Sequence, residues 1–505
     1  MIKKNRLHYT THLKEIFSFD LRSLALFRIG LSLLILYDLA VRSLTLRMHY
    51  TDFGLLPRAP LIEKFSSEWV VSIHYLSGAF AVQLVLFIIA ALFALMLLVG
   101  YRTRLATFLS WFMMISLQQR NPMILQAGDV FFRMQLFWGM FLPLGARFSI
   151  DSLITAPGPS IKEARPKNTS SVATVAFFFQ VAFIYWFTAA IKLAPNSFPI
   201  WWTEGSAIYY ALSIDQFVKP FGQFLLGLPL FWLKAMTRAV ILVEIFGPFF
   251  LFSPVFNSLM RLLGVMLFVL LHVGFKLSLE LGPFPLVSSV AMVPFLPALL
   301  WDKCLPKISN LDSIKDSIRS LWPWKSYVPK AYFAPPLSQN LLALFFLVYV
   351  LFWNLGTVNF PYRIPQNLKW LGIMSGLEQK WNMFSPPLRE DGWYVIPAKL
   401  KNGKQVDLFK NGGPVSWQKP ASVYETYRNE RERKYMMNIW LAINKDYRLY
   451  YGKYLCRSWN RSHSPEEQIN EFEVCFMKEL TLPNGQLSAP EKKVIWHHYC
   501  FDVPT

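Results

Sequence analysis

A single lysine, Lys192, stands where an apolar run long enough to cross a bilayer comes to an end, within the stretch 177–212. After it come Pro195 and Pro199, then Trp201, Trp202, Glu204 and Gly205. An amine at a membrane edge followed by an amphipathic aromatic segment has two readings. Desolvation lowers the proton affinity of a lysine, so the amine can serve as a neutral base. The same side chain can instead snorkel to the headgroups beside interfacial tryptophans. A second set lies in 259–281, where His272, Lys276 and Glu280 follow one another at i, i+4 and i+8. Such residues drift by about 40° per step and share one helix face. Three ionisable groups along a spanning helix need a polar lining or one another. His272 has the chemistry of an acid, a base or a hydrogen-bond donor. In the alternative, Lys276 and Glu280 form an ion pair at the membrane edge and His272 bonds a neighbouring helix. Asp129 and Arg133, four residues apart, suit either an ion pair closing a helix mouth or a substrate contact.

The elements that must position these groups follow from composition. The 505 residues are 54% hydrophobic and 16% charged, whereas soluble domains carry about a quarter charged residues. This is the composition of a polytopic α-helical membrane protein. The net charge of +20 is spread between apolar segments and the C-terminal third. That pattern suits membrane lipid as a partner and argues against nucleic acid. Four cysteines do not make a disulfide framework, although Cys456, Cys475 and Cys500 leave room for one bridge; their spacing resembles no zinc site, and no metal is expected. No P-loop, GxSxG elbow, HExxH helix or Rossmann glycine pattern stands in a suitable context.

About nine spans are expected: 24–39, 79–100, 105–117, 130–144, the run ending at Lys192, 239–252, 259–281, 284–300 and 341–355. Arg28 and Asp38 within the first require it to pack inside a bundle. The 221–232 patch reads as interfacial or re-entrant, and Gly247 and Pro248 are expected to kink the span carrying Glu244. Met1 and the basic residues Lys3, Lys4, Arg6 and Lys14 precede a first run that reads as a retained anchor, which predicts a cytoplasmic N-terminus. Alternation then puts 101–104, 147–170 and 301–340 inside. It puts 118–129, 192–238, 281–283 and everything after 355 outside, so Lys192, Glu280 and the 118–129 loop are expected around one cavity. Residues 1–356 form the bundle, and 357–505 a β-rich extracytoplasmic domain. In that domain 381–387, 391–409 and 411–413 predict strands and hairpins, 426–449 a helix, and 474–480 and 494–502 further strands. His497 and His498, adjacent on a strand, point to opposite faces and make a poor metal pair. The expected location is a bacterial inner membrane or, in a eukaryote, the endoplasmic reticulum membrane.

Five segments together resemble the horizontally transferred transmembrane (HTTM) family, which includes the vitamin K-dependent gamma-carboxylases. They are FDLRSLALFRIGLSLLILYDL, GYRTRLATFLSWFMMISLQQRNPMILQAGD with its continuation, FIYWFTAAIKL with WWTEGSAIYYAL, LHVGF with LGPFPLVSSVAMVPFLP, and WNMFSPPLREDGWYVI. The resemblance implies an integral membrane carboxylase. In these enzymes a lysine deprotonates vitamin K hydroquinone, oxygen adds, and the resulting alkoxide removes a gamma proton from a peptide glutamate. The carbanion then takes up carbon dioxide, giving gamma-carboxyglutamate and vitamin K epoxide. Lys192 matches that lysine and His272 the histidine of the LHVGF segment. Reduced vitamin K or another quinol, with O2 and CO2, is the implied cofactor set, and a glutamate-bearing protein or peptide the implied partner. The expected quinol-binding residues are Asn121, Asp129, Arg133, Trp202, Glu204, Gly205, Lys276 and Glu280. Where the carboxylases carry a histidine after the asparagine, this chain has Pro122 after Asn121. Two other classes compete: a non-catalytic quinone- or lipid-binding or scaffold protein, and a transporter with Arg133, Glu244 and His272 along its path.

Overall fold

A computed structural model describes residues 13–154, 167–194, 200–304, 335–483 and 486–501. The expectations placed on Lys3, Lys4, Arg6, Pro195 and Pro199, and on most of 301–340, fall outside these residues. Helix α1 (Leu21–Ser43) starts at Asp20, whose carboxylate accepts from the Arg22 amide, an N-cap at the mouth of an apolar run. It is followed by α2 (Phe80–Val99), α3 (Thr103–Arg120), α4 (Ala127–Gly139) and α5 (Val172–Leu193). Then come α6 (Pro220–Leu226), α7 (Leu230–Leu251), α8 (Asn257–Ser278), α9 (Phe284–Ala291) and α10 (Leu337–Thr357).

Five of these helices, α1, α2, α5, α8 and α10, are long and apolar enough to cross a membrane, and six if the bent pair α6–α7 counts as one. Among the described residues, five of the nine expected spans, or six with the bent pair, thus correspond to helices of spanning length. Helix α3 occupies 105–117, but Arg104, Gln118, Gln119 and Arg120 make it too polar. Helix α4 has 13 residues, about 20 Å of rise against about 30 Å of hydrocarbon. The run 284–300 breaks into Phe284–Ala291, Val293–Phe295 and Ala298–Cys304, because Pro294 and Pro297 remove backbone donors. The expected 239–252 span begins earlier, at Leu230; α6 meets α7 at 115°, and Pro248 is absorbed inside α7.

The charge buried within α1 at Arg28 is met by backbone carbonyls. The Arg28 guanidinium donates to the Leu144, Arg147 and Phe148 carbonyls. Gly100, at φ 69°, ends α2 beside it; an added Cβ would lie 2.6 Å from Arg28 Nη1 and 2.4 Å from Ser149 Cβ. Only glycine suits that left-handed position and that approach.

Described loops meet in two groups. In one, Asp151 accepts from the Arg102 and Thr103 amides, Arg22 pairs with Asp302, and Phe19–Asp20 pairs with Asn168–Thr169. In the other, the 118–129 loop, the 200–219 segment and the 281–283 turn all meet the C-terminal part. That part holds strands β1 (Glu390–Val395), β2 (Pro397–Leu400) and β3 (Gln405–Asp407), helices α11 (Glu430–Trp440) and α12 (Tyr447–Asn460), and strands β4 (Ile469–Leu480) and β5 (Glu491–Tyr499). The antiparallel sheet is built on β4: β5 lies along one side, β1 and β2 share the other, and β3 pairs with β2. Apolar residues at alternate positions, among them Trp393, Val395, Phe472, Val474 and Phe476, face the core. Of the three cysteines in this part, Cys456 and Cys500 form a disulfide and Cys475 is free and buried. The 381–387 segment is not a strand. It packs as an irregular turn over the end of α5, with Trp381 fully buried.

Candidate functional site

Lys192 lies in the last turn of α5, where the apolar helix stops, and its side chain is 4% exposed. Its Nζ donates to Glu244 Oε1 of α7 at 2.6 Å and sits 3.9 Å from the centre of the Trp202 ring. The amine is therefore not alone: Lys192 has a buried carboxylate partner. Glu244 is also buried, and among the described residues its second oxygen, Oε2, has no hydrogen-bond partner. An ammonium over an aromatic face and against a carboxylate is well compensated; a carboxylate oxygen left without a donor at this depth is not. Trp202 is held in turn by its Nε1–H, which donates to the Phe384 carbonyl at 3.2 Å, and the Ser385 hydroxyl donates to the Ile191 carbonyl. The WNMFSPP segment thus covers the end of α5.

His272, one helix over on α8, shares a hydrogen bond of 2.9 Å between its Nε2 and the Tyr185 hydroxyl of α5. Tyr185 stacks on Phe268, with ring centres 4.0 Å apart, which fixes its hydroxyl toward His272. The other ring nitrogen of His272, Nδ1, is buried and unpartnered among the described residues. Lys192, Glu244, Tyr185 and His272 thus lie on the packed helices α5, α7 and α8. Lys276 and Glu280 form the ion pair expected in the alternative reading, at 3.8 Å, and Lys219 approaches Glu280 more closely, at 2.6 Å.

The remaining candidates do not join them. Asp129 and Arg133 are not each other's partners. Asp129 accepts from Arg42 at 2.5 Å and from both terminal nitrogens of Arg431, at 2.5 and 2.8 Å. Arg133 donates to the carbonyls of Gly376 and Glu378 and to Gln118, and pairs with the Glu378 carboxylate at 2.9 Å. None of these is a partner of Glu244 or His272, so the transport path through all three is not assembled by shared contacts. Asn121 caps the short 122–124 helix and donates to the His49 carbonyl. Glu204 is exposed. Gly205 adopts φ 87°, and a Cβ there would lie 3.0 Å from the Lys234 side chain, so its place is in the turn that packs on α7. The single expected cavity divides into two clusters, one around Lys192 and one around Asp129.

The second cluster is an ionic network around two aspartates and two arginines, with Glu430 3.8 Å from Arg431 at its edge. Asp38 accepts from Arg42 at 2.7 Å and from Arg431 at 2.9 Å, and Asp129 joins both arginines. All four side chains are buried. Arg431 belongs to α11, so the C-terminal part reaches into the mouth of the bundle. Sequence reading singled out Asp38 and Asp129 but missed Arg431, one of several arginines in a polar stretch. Tyr185 carried no signal either, since a tyrosine in an aromatic run reads as core.

Among the described residues no group of three or more His, Cys, Asp or Glu side chains is arranged to hold a metal ion. No family model, curated protein or solved structure matches the chain.

Proposed function

We propose that the chain is an integral membrane enzyme of the gamma-carboxylase type, which takes a proton from a membrane-borne quinol at the Lys192–Glu244 pair. The observation that carries this reading is the buried pair itself, with Glu244 Oε2 and, one helix away, His272 Nδ1 lacking partners. Unpaired polar atoms at such depth are costly and fit a ligand offering hydroxyl and carbonyl groups. A bound quinol supplies a hydroxyl proton and the electrons for reaction with oxygen. In this reading Glu244 Oε2, whose lone pairs are unused, accepts the proton, and the Lys192 ammonium stays in place to compensate the negative charge left on the oxygen. The Trp202 ring keeps water from the amine, and Tyr185 orients His272 toward the site.

The test is reconstitution into liposomes with a reduced vitamin K, labelled bicarbonate and a glutamate-rich peptide. Quinol oxidation and label uptake are expected in the wild type and lost in Lys192→Ala and Glu244→Gln. A wild-type protein that leaves the quinol unoxidised removes the reading. Pro122, in place of the histidine the carboxylases carry, makes quinol oxidation the primary readout and carbon dioxide fixation the more demanding one. The scaffold reading draws on a different observation, the fully paired junction around Asp129, and predicts a stable crosslinked protein partner whether or not Lys192 is intact.

A further inference from the structure

Three arginines from distant parts of the chain converge on one aromatic ring near the ends of two helices of spanning length. Arg47 lies in the short helix Leu46–Tyr50, Arg457 in the last turn of α12, and Arg461 is the residue that follows α12. Their guanidinium carbons stand 4.6, 5.8 and 5.6 Å from the centre of the Phe53 ring. Arg457 donates through Nη2 to the Phe53 and Gly54 carbonyls, and Arg47 and Arg461 are exposed. Among the described residues no carboxylate lies within ion-pair distance of the three; Asp52, next to Phe53, pairs with Arg58 instead.

The helix ends put this cluster at the edge of the apolar layer. Helix α1 has 23 residues, a rise of about 34 Å, which covers the roughly 30 Å of hydrocarbon in a bilayer. It stops at Ser43, and Arg47 belongs to the helix that comes next. Helix α2 starts at Phe80, and just before it the Gly78 carbonyl accepts from the Asp52 amide at 3.0 Å, which ties the start of α2 to the Phe53 loop. The chain around these ends leaves large apolar side chains uncovered: Leu44, between α1 and Arg47, is 81% exposed, Leu76 is 76% exposed, and Val71 and Phe80 are exposed as well. Apolar side chains beside basic ones suit the boundary between acyl chains and headgroups.

Like charges gathered without counter-charges repel one another. Guanidinium groups laid on an aromatic ring keep N–H edges free, and such edges take phosphate oxygens two at a time. We propose that Arg47, Arg457 and Arg461 hold the phosphate of an anionic phospholipid whose acyl chains lie against the exposed apolar residues around the ends of α1 and α2. The phosphate supplies the missing counter-charge. A zwitterionic headgroup would bring its own ammonium toward three cations, so a net negative one is selected. A water-borne anion would answer the charge but leave Leu44 and Leu76 in water; the pairing of charge with apolar surface is what selects lipid. Arg457 and Arg461 belong to the C-terminal part, so the same lipid ties that part to the membrane beside α1. The inference uses no quinol chemistry and stands or falls apart from the previous subsection.

The experiment titrates the full-length protein in neutral detergent with phosphatidylglycerol or with phosphatidylcholine of the same acyl chains, and follows lipid adducts by native mass spectrometry. The tightest phosphatidylglycerol site is expected to bind at least about tenfold more strongly than any phosphatidylcholine site. R47Q/R461Q should lose about tenfold or more for phosphatidylglycerol and leave phosphatidylcholine unchanged. R47K/R461K should recover part of the loss, since lysine restores charge but not the paired edges. Glycerol 3-phosphate and a soluble peptide of alternating glutamate and glycine, each in excess, are expected not to displace the lipid. Melting temperatures in lipid-free detergent that match the wild type show that the variants are folded; should R47Q/R461Q not fold, the two lipids and the two competitors, compared on the wild type, still decide the matter. Equal binding of the two lipids, or a glutamine variant that binds phosphatidylglycerol like wild type, overturns the proposal. So does displacement by either soluble competitor, which assigns the cluster to a water-borne anion.

Discussion

Two of the buried ionic groups among the described residues are built to different ends. At the junction between the bundle and the C-terminal part, Asp38, Arg42, Asp129 and Arg431 interlock, each aspartate facing two guanidinium groups, with Glu430 at the edge 3.8 Å from Arg431. Between α5 and α7, Lys192 and Glu244 balance, yet one carboxylate oxygen has no donor among the described residues. Asp38 and Asp129, with every carboxylate oxygen paired, fix one arrangement and have nothing left to offer a ligand. An incompletely satisfied pair has an open valence, which is where a substrate group can bind. The comparison assigns holding to the first and reacting to the second.

The largest effect should come from breaking the junction. Arg431→Met leaves two buried carboxylates facing Arg42 alone, and removal of one partner from a buried network costs about 3–5 kcal/mol. Thermal unfolding in detergent should show a large fall in melting temperature; an unchanged midpoint would mean that the network contributes little and that the two groups are not so different.

Lys192→Met should cost nearly as much, because it strands the Glu244 carboxylate. Lys192→Met combined with Glu244→Leu should recover most of that loss, since replacing both members of a buried pair is often close to neutral. Activity should stay absent in the double variant. Stability restored without activity is the signature of a pair kept for chemistry, and a double variant as unstable as the single one would argue for a structural role.

Asp391 of β1 sharpens the contrast within the junction. It is buried and accepts from the Asp215 amide and the Gln216 side chain, but no cation pairs with it. Burial, with the nearby Asp215 charge adding to it, pushes its carboxyl up to about 6 from the usual 3.8. The folded protein therefore holds this proton more tightly than the unfolded chain. This contribution to stability is fully present below about pH 4 and is lost as pH rises through 6, amounting to about 3 kcal/mol. Asp391→Asn should flatten that part of the stability profile between pH 4 and 7, as followed by chemical denaturation; an unaltered profile would show that the group titrates normally.

Tyr185→Phe is the mildest change. It removes the hydrogen bond to His272 and should cost about 1 kcal/mol of stability. It should also lower quinol turnover if His272 needs that bond to hold its orientation, a separation that parallel melting and activity assays would read.

The amphipathic logic of the chain was legible residue by residue. Apolar runs located α1, α2, α5, α8 and α10, and alternation and turn dipeptides located the sheet. Polarity within a run was harder to weigh. Helices α3 and α4 read as spans because a window of apolar residues does not reveal that flanking glutamines and arginines belong to the same helix, nor that thirteen residues fall short of a bilayer. At the candidate site, Lys192, Glu244 and His272 each stood out as an ionisable group in an apolar setting, the one local signal that burial leaves in a sequence.

Their partners left no such trace. Composition and periodicity alone determined that this chain is mostly helical, with helices long and apolar enough to cross a membrane and a strand-bearing C-terminal part, because hydrophobic burial acts on each segment wherever its neighbours are. Tertiary structure alone decided that Lys192 faces Glu244, that Asp129 turns from Arg133 to an arginine some three hundred residues away, and that three arginines share one phenylalanine. The physical reason is range: the burial of an apolar face is dictated within a few helical turns, whereas a charge at depth is compensated by whichever group the packing of distant helices brings within about 3 Å.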